Sequence, residues 1–541
     1  ELNYTGQSMS PCEATLVFRK LGQGLKIVHV SPTVTIEAEA AASQTSLDLS
    51  RKGLRPAEMI LVSSAMQFMA GLSEVNLSTN KCFGSKLKNK YDPSDGDIHD
   101  IDKDQTGWTA FCEALEGNKT VQTLVLSDIG IGPVGLTTFS KTISDMAGMT
   151  KIDISKNNIG ADGAKALADV IPASKVQTLV IGDGVEISTR GSEAETLDFS
   201  NKGFGPGEVV LISALVIPFS AVLSEVNLSA NKCFGSRAAR RGGQLHNIDN
   251  DQTGWTAFCE ALKDRNSIQT LVLADIGIGP VGLTTFSKTI SDMAGLNDIT
   301  IDSTGILQDQ KKYTITGLQG GGASSLDLSS LNFGPADLEF LATLFTLFPS
   351  FSAGLSEVNL SSNKCFNVES VKALADVIPK SKLQKLVIGK DCSVPVVASD
   401  LTALDCSDQN FGPGEVMLIS SIVMPVSAVV NRVDISNNKI GDEAAQVFFE
   451  VLRGTKIATL VISEIGIGPV GLTSLAKVMS DMAGLNDITI DSTGNLNDQK
   501  KYTITGLQGG GESSLNFSSL NFGPADVNFL ATLLTSFPSF S

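Results

Sequence analysis

Short apolar segments alternate with longer amphipathic ones along most of this 541-residue chain. Each short segment carries apolar residues at the spacing L-x-x-L-x-L, as in 121–126, and this alternation predicts a strand. A small polar residue, often followed by Asn, and a turn rich in Gly and Pro come next. The segment 162–171 then predicts an amphipathic helix, because Ala164, Leu167, Ala168 and Ile171 fall on one face. The pattern therefore predicts a strand–turn–helix unit of about 25–30 residues.

This unit recurs from about Thr45 onward, and the sequence contains about seventeen strand starts. They lie near Leu47, Val75, Leu124, Ile152, Leu179, Leu197, Val226, Leu271, Ile299, Leu326, Val358, Leu386, Leu404, Val433, Leu460, Ile488 and Leu515. Some units depart from the pattern. Two units, 176–194 and 383–401, are short and lack a clear helix. Two others, 72–120 and 223–267, carry insertions. A further two, 297–323 and 486–512, have the polar stretch KKYTITGLQGGG in place of a helix.

Longer stretches of the chain are copied almost letter for letter. The segment 128–148 returns unchanged at 275–295, and its core GIGPVGLT appears a third time from Gly466. The segment 309–322 likewise returns at 498–511. Several different units have thus been duplicated together as a cassette. Such a sequence predicts a stack of units, and stacks bind or build more often than they catalyse.

The strand–turn–helix unit resembles the leucine-rich repeat, in the longer form of the ribonuclease-inhibitor-like proteins. The resemblance implies an α/β solenoid shaped as a horseshoe, with parallel strands on the concave face and helices on the convex face. We expect 1–44 to be an N-terminal partial repeat or cap. We expect 45–541 to be a solenoid of about 17 units that continues beyond the chain end, because 537–541 stops where the earlier copy at 348–352 runs on into another repeat.

The net charge of −17 argues against nucleic-acid binding, which needs a basic stripe, and is compatible with basic partners or cations. The apolar runs are too short to span a bilayer, so no transmembrane segment is predicted.

The cysteines fit a core better than a disulfide framework. Three share the NKCF position just after a strand: Cys82, Cys233 and Cys365. Cys406 replaces the Leu or Phe of other strands. We interpret them as buried free thiols; the alternative pairs Cys82 with Cys112 and Cys233 with Cys259. Because cysteine-rich end caps are missing, the sequence favours an intracellular, reducing compartment without excluding secretion.

No catalytic constellation is visible, and we predict that the protein is not an enzyme. The sequence has three histidines and no G-x-S-x-G, P-loop or H-E-x-x-H motif. A formal G-x-G-x-x-G match begins at Gly130, Gly277 and Gly466. A dinucleotide site needs an open sheet with a crevice, which strands stacked in sequence order do not leave, so we interpret the match as a repeat turn.

The candidate metal site lies in the two insertions. Carboxylates at every second position could converge on a hard cation such as calcium, and no other cofactor is predicted. The candidate ligands are Asp100, Asp102 and Asp104, copied as Asn247, Asp249 and Asp251. The alternative is a solvated acidic loop that caps the helix starting near Trp108 or Trp255. We expect these two tryptophans to anchor the insertions.

The middle residues of the strands form columns of Asp, Asn, Val and Thr. Beside them runs a ladder of Ser residues, which includes Ser50, Ser78, Ser127, Ser155, Ser200, Ser229, Ser329, Ser361, Ser407, Ser436, Ser463 and Ser518. We interpret these polar residues as partners of local backbone turns. The alternative is a recognition receptor that binds a polar or cationic ligand on this face, through residues such as Asp153, Asp327 and Asp434.

Several helical segments are apolar nearly all round, at 59–69, 209–217, 338–348, 416–424 and 527–537. Such helices are covered either by neighbouring helices or by a partner. We select as candidate partner-binding residues Val209, Leu211, Leu215, Phe219, Val416, Leu418, Ile422, Phe340, Phe345 and Phe529. The predicted function is a non-enzymatic scaffold within a larger assembly, formed with a protein partner or by self-assembly through repeated surfaces.

Overall fold

The structure of the protein is a computed structural model. It describes residues 2–5, 13–14, 16–17, 20, 26–37, 41, 43–84, 86–87, 98–99, 101–238, 245–390, 392–397, 400–424, 429–510 and 515–540. The chain divides into two compact units, Glu1–Ile301 and Asp302–Ser541. Strands and helices alternate along each unit, which confirms the predicted α/β class.

In the first unit the described strands form mostly parallel sheets. The strands are β1 Leu2–Asn3, β2 Ile27–Ser31, β3 Val34–Glu37, β4 Ser46–Asp48, β5 Glu74–Asn76, β6 Lys86–Leu87, β7 Ile98–His99, β8 Thr123–Val125, β9 Lys151–Asp153, β10 Thr178–Ile181, β11 Val185–Ser188, β12 Thr196–Asp198, β13 Glu225–Asn227, β14 Arg237–Ala238, β15 Leu245–His246, β16 Thr270–Leu273 and β17 Asp298–Asp302. One parallel sheet has the order β4-β5-β8-β9-β10, and another has the order β12-β13-β16-β17. The two insertions form the small ribbons β6–β7 and β14–β15.

Helices connect these strands. The first unit has α1 Pro56–Met66, α2 Thr106–Gly117, α3 Pro133–Ile143, α4 Gly160–Val170, α5 Pro206–Leu215, α6 Thr253–Leu262 and α7 Pro280–Thr289, with short 3₁₀ turns at Ile171–Ala173, Ile217–Phe219 and Ile290–Asp292. The antiparallel hairpin β2–β3 precedes them, and its first strand contacts α1.

The second unit repeats this plan. Its strands are β18 Lys312–Ile315, β19 Ser325–Asp327, β20 Glu357–Asn359, β21 Lys385–Val387, β22 Ser393–Pro395, β23 Ala403–Asp405, β24 Arg432–Asp434, β25 Thr459–Val461, β26 Asp487–Asp491 and β27 Lys501–Ile504. Its helices are α8 Pro335–Leu347, α9 Pro349–Gly354, α10 Val368–Val377, α11 Pro413–Leu418, α12 Gly441–Val451, α13 Pro469–Val478 and α14 Pro524–Ser536. Short 3₁₀ turns lie at Leu307–Asp309, Ile378–Lys380, Met479–Asp481 and Pro538–Phe540, and a π-helical turn follows α11 at Ile419–Val423.

Sixteen of the seventeen predicted strand positions lie in strands, and Leu515 lies outside one. The units that were expected to lack a helix return through a strand instead. β10 continues into the antiparallel β11, β21 into β22 and β26 into β27. In β27 the sequence KYTI alternates between exposed and buried positions, as a strand with one covered face requires.

A buried or half-buried asparagine joins consecutive strand turns. Asn157 accepts hydrogen bonds from the backbone N–H groups of Ile129 and Gly130 in the preceding repeat, each at 3.1 Å. Its amide group donates to the carbonyls of Leu126, at 2.8 Å, and Ile154, at 3.0 Å. The same arrangement recurs at Asn80, Asn231, Asn363 and Asn438. Each amide therefore satisfies backbone groups of two repeats at once.

The residue after each Ser of the ladder adopts a left-handed backbone conformation. Lys156, with φ of 56°, is one example, and its N–H donates to the carbonyl of Gly182 in the next repeat at 2.8 Å. Arg51, with φ of 56°, donates in the same way to Ser78 at 3.0 Å. A left-handed non-glycine residue costs on the order of 1 kcal/mol. The hydrogen bond to the next repeat offsets that cost.

We predict that Asn157→Ala destabilises the protein by about 3 kcal/mol, because it leaves backbone groups of two repeats without partners. The neighbouring exposed Asn158 is a matched control, and Asn158→Ala should change stability by less than about 0.5 kcal/mol. Urea denaturation followed by circular dichroism measures both variants. Equal shifts of the two midpoints would contradict the role given to Asn157.

Candidate interaction surface

Most of the apolar residues selected as partner-binding lie inside the protein. Nine of the ten are at most 5% exposed: Val209, Leu211, Leu215, Val416, Leu418, Ile422, Phe340, Phe345 and Phe529. Neighbouring helices cover them, as α4 and α6 do for α5. Only Phe219 is exposed, at 54%. The nine residues therefore belong to the core, and a partner surface on this protein has to consist of other side chains.

An open groove does exist on the helix side of the first unit. It has a volume of about 750 Å³ and lies where α5 runs between α4 and α6. Its floor contains Val210, Ser213 and Ala214 of α5, whose side chains are short. Charged residues of α4 and α6 line it as well: Lys165, Asp169 and Glu260. The groove forms because these α5 side chains are short, and the sequence of α5 alone does not indicate the groove.

The polar column at the strands serves the turns that follow them. In the ten repeats whose middle strand residue is Asp or Asn, its side-chain oxygen accepts the N–H of the Ser two residues later, at 2.9–3.1 Å: Asp48, Asn76, Asp153, Asp198, Asn227, Asp327, Asn359, Asp405, Asp434 and Asn516. Hydrogen bonds from the backbone and hydroxyl of Ser50 lower the pKa of Asp48. Any ligand of Asp153, Asp327 or Asp434 would therefore compete with a turn.

The aspartates of the two insertions bind backbone groups of the next repeat. Asp102 accepts hydrogen bonds from the N–H groups of Gly132, at 2.9 Å, and Val134, at 2.7 Å, at the start of α3. Asp249 accepts from Gly279, at 2.9 Å, and from two further residues at the start of α7. The helix N-terminus, with its free N–H groups and positive dipole end, favours such a carboxylate.

The other predicted cation ligands are also used locally or lie elsewhere. Asp104 and Asp251 each accept the N–H of the threonine that begins their own helix, at 3.0 and 2.9 Å. Asn247 lies in the left-handed region with φ of 59°, and Asp100 lies outside the described residues. In the part of the chain that the structure describes, no three His, Cys, Asp or Glu side chains gather as metal ligands would. The calcium site stays a prediction, and it would require Asp102 and Asp249 to release the backbone.

The glycine-rich turn and the acidic insertion are parts of one structure. A Cβ at Gly135 would lie 2.8 Å from Oδ1 of Asp102, and one at Gly282 would lie 2.8 Å from Oδ1 of Asp249. Glycine is therefore needed for the carboxylate to reach the helix. In a dinucleotide site these N–H groups would bind a phosphate, but here a carboxylate occupies them. In the sequence the two motifs look independent, although their joint duplication indicates that they are linked.

Both tryptophans are buried and hold the start of the next helix. Trp108 Nε1 donates to the carbonyl of Gly135, and Trp255 Nε1 to that of Gly282, both at 2.8 Å. The ring of Trp108 also packs against Phe83 with centroids 5.2 Å apart. These contacts leave no indole face for a ligand, because both side chains are 0% exposed.

Of the seven cysteines that the structure describes, five follow the free-thiol interpretation and two do not. Cys82, Cys112, Cys233, Cys259 and Cys365 are buried and free, so the proposed pairs within the insertions are not present. Burial raises the pKa of the first four thiols to about 12, which keeps them protonated. Cys406 was expected to be a free core residue, but it forms a disulfide with Cys392.

Several helices are capped by a buried carboxylate of their own first turn. Glu208 accepts the N–H of Gly205 at 2.8 Å, and burial raises its pKa to about 7. Asp337 accepts from Gly334 and from both the N–H and the hydroxyl of Thr304, at 2.7–2.8 Å. Burial raises the pKa of Asp337 to about 6 despite these bonds. Glu208 and Asp337 thus cap the starts of α5 and α8, which argues for a structural role of both carboxyls.

Parallel strands, helical returns and asparagine-joined turns define the class: each compact unit is built as an α/β solenoid of leucine-rich repeats. The Leucine Rich repeat family matches residues 149–168 and 427–449 of the sequence. No curated protein matches the chain. Within the described residues, no helix has both the length and the apolar character to cross a membrane.

Two solved structures are similar to this chain at low sequence identity. An internalin from Listeria monocytogenes is 14% identical, with 86% of this chain and 92% of that chain covered and a TM-score of 0.19. The actin-binding site 2 of leiomodin-1 is 13% identical, with 26% of this chain and 73% of that chain covered and a TM-score of 0.21. Similarity at this level carries no information about the ligand of this protein.

We predict that Asp249→Ala destabilises the protein by about 2 kcal/mol, because three backbone N–H groups at the start of α7 lose their acceptor. Asp249→Asn, which keeps one oxygen acceptor, should lose less. Calcium or a chelator should leave the wild-type melting temperature unchanged in differential scanning calorimetry. A calcium-dependent rise that disappears in Asp249→Ala would instead establish the cation site.

We predict that Glu208→Gln flattens the dependence of stability on pH. The folded-state pKa of Glu208 is raised from 4.5 to about 7, so its contribution is fully present below about pH 4.5 and is lost as the pH rises through 7. Glutamine keeps an oxygen for Gly205 and cannot ionise. At pH 8 the variant should be more stable than the wild type by on the order of 3 kcal/mol, and near pH 4 the two should be similar. Urea midpoints across this range test it, with exposed Glu193→Gln as control.

Proposed function

We propose that this chain is a non-enzymatic interaction scaffold that works within a larger assembly. Leucine-rich repeats generally mediate contact between proteins, and the chain contains such repeats. The groove over α5 is the observation that carries the proposal. It combines an apolar floor with a charged rim, which is the composition of a surface that binds another protein.

The floor of this groove is suited to an apolar side chain of a partner. The hydroxyl of Ser213 donates to the carbonyl of Val209 at 2.6 Å, so it does not require a partner from outside. Ala214 is exposed beside it and leaves room for a larger group. At the end of the groove, Pro218 lines the wall and the next residue, Phe219, is 54% exposed. Phe219 is also the one candidate partner residue that stays accessible.

Duplication supports contact at more than one site. Val134, Val281 and Val470 occupy the second position of α3, α7 and α13, and each is 58–59% exposed. A surface presented several times increases binding through effective concentration even when each contact is weak.

The helical returns of 10–13 residues in the longer units also support a ribonuclease-inhibitor-like type of repeat, from which the strand-returning units depart.

The test uses Ala214→Arg, which fills the groove with a long charged side chain. Ala194→Arg, at an exposed position of a loop in the same unit, is the matched control. Wild-type and control protein should cross-link to the same partner in extracts of the source, and mass spectrometry should show that Ala214→Arg loses it. A monodisperse monomer that cross-links to nothing would overturn the scaffold. Full retention of the partner by Ala214→Arg would overturn the groove as its site.

A further inference from the structure

The second compact unit has a groove of a different character, between α8 and α10. Its volume is about 590 Å³. The residues that line it come from one face of each helix: Glu339, Ala342, Thr343, Thr346 and Leu347 of α8, and Glu369, Ala373, Asp376 and Val377 of α10. In both helices these positions recur at intervals of three and four residues. The groove therefore runs along the two helices rather than across them.

The floor of this groove is apolar. Thr343 donates its hydroxyl to the carbonyl of Glu339, and Thr346 donates to that of Ala342, both at 2.9 Å. Because both hydroxyls are bonded within α8, the threonines offer their methyl groups to a ligand. With the two alanines, Val377 and Leu347, they make a floor of short and medium-sized apolar groups. Short side chains allow an approaching helix to come close.

The rim of the groove is acidic on both sides. Glu339 stands on α8, while Glu369 and Asp376 stand on α10 and are exposed. None of the nine lining residues is Lys, Arg or His. A rim with three carboxylates attracts cations, and the net charge of −17 adds to the attraction. The same charge repels a second copy of this chain and a nucleic acid.

We propose that this groove binds a basic amphipathic helix of a partner protein. The apolar stripe of the helix lies on the floor, and its Lys or Arg side chains reach Glu339, Glu369 and Asp376. The α10 wall has ten residues and is about 15 Å long, so a helix of about 14 residues covers it. This proposal rests on the proposed function as an interaction scaffold, and it names the chemistry of one partner segment.

The chain contains its own comparison for this groove. Helix α14 repeats the sequence of α8 closely, but Asn528 stands in place of Glu339 and Ser536 in place of Leu347. The double substitution Glu339→Asn, Leu347→Ser therefore gives α8 residues that the same helix already carries in α14. It should weaken the groove's affinity for a basic helix while preserving the fold.

The experiment measures binding of a labelled 14-residue peptide of Leu and Lys, designed as an amphipathic helix, to the full chain by fluorescence anisotropy. The peptide should bind at about 0.05 M salt, and its affinity should be lower at about 0.5 M salt. Neutralising the rim with Glu339→Gln, Glu369→Gln and Asp376→Asn should weaken binding at least about tenfold, or about 1.4 kcal/mol. The double variant from α14 should also bind more weakly. A peptide with Glu in place of Lys should not bind.

A charge-matched control separates the groove from the overall charge. Glu193→Gln, Glu195→Gln and Glu443→Gln remove the same three charges elsewhere and should bind as the wild type does. Equal affinity of the rim variant and this control, with unchanged circular dichroism melting curves, would overturn the proposal. So would a wild type that does not bind, or self-association that the peptide competes and the rim variant abolishes. Any of these three outcomes leaves the proposed scaffold function in place if Ala214→Arg still loses a cross-linked partner.

Discussion

The hydrogen bonds of the asparagine amides that join consecutive strand turns are the interaction on which the rest of this structure depends. Asn157 bonds backward to the turn of the preceding repeat, while the left-handed Lys156 beside it bonds forward to the next. Together they satisfy backbone groups that the end of each strand would otherwise leave buried and unpaired. No repeat can supply both partners alone, so the strands keep one register and the helices behind them keep a fixed spacing.

The backbone N–H groups at the helix starts also need hydrogen-bond partners, and different residues supply them. In the three units with the sequence GPVG, the carboxylate that caps the helix comes from the preceding unit: Asp102, Asp249 and Asp442. In other units the first turn supplies its own buried acid, as Glu208 does. Many of the acidic and glycine residues that suggest a binding site in the sequence therefore serve to cap helices. Chemistry for a partner is left to the outward faces of the helices, where α4–α6 and α8–α10 form grooves.

The strands were predictable because their alternation is a local property of six residues, and parallel stacking follows from repetition. The antiparallel returns were less visible, although the alternation of KYTI in β27 contained the signal. The sequence of an apolar helix does not show whether neighbouring helices or a partner cover it. Val209 and Phe340 look like exposed interface residues until the helices that pack against α5 and α8 are placed. The disulfide between Cys392 and Cys406 also depends on a spatial proximity that spacing alone does not reveal.

Helices α8 and α14 show that a groove on this protein depends on a pair of helices. The two helices have closely similar sequences, although Asn528 stands in α14 where α8 has Glu339. At α8 the neighbouring helix α10 packs against it and supplies Glu369 and Asp376 to the rim of the groove. Duplication of a repeat therefore copied its core and its caps, whereas the composition of a groove is set by both helices that meet there.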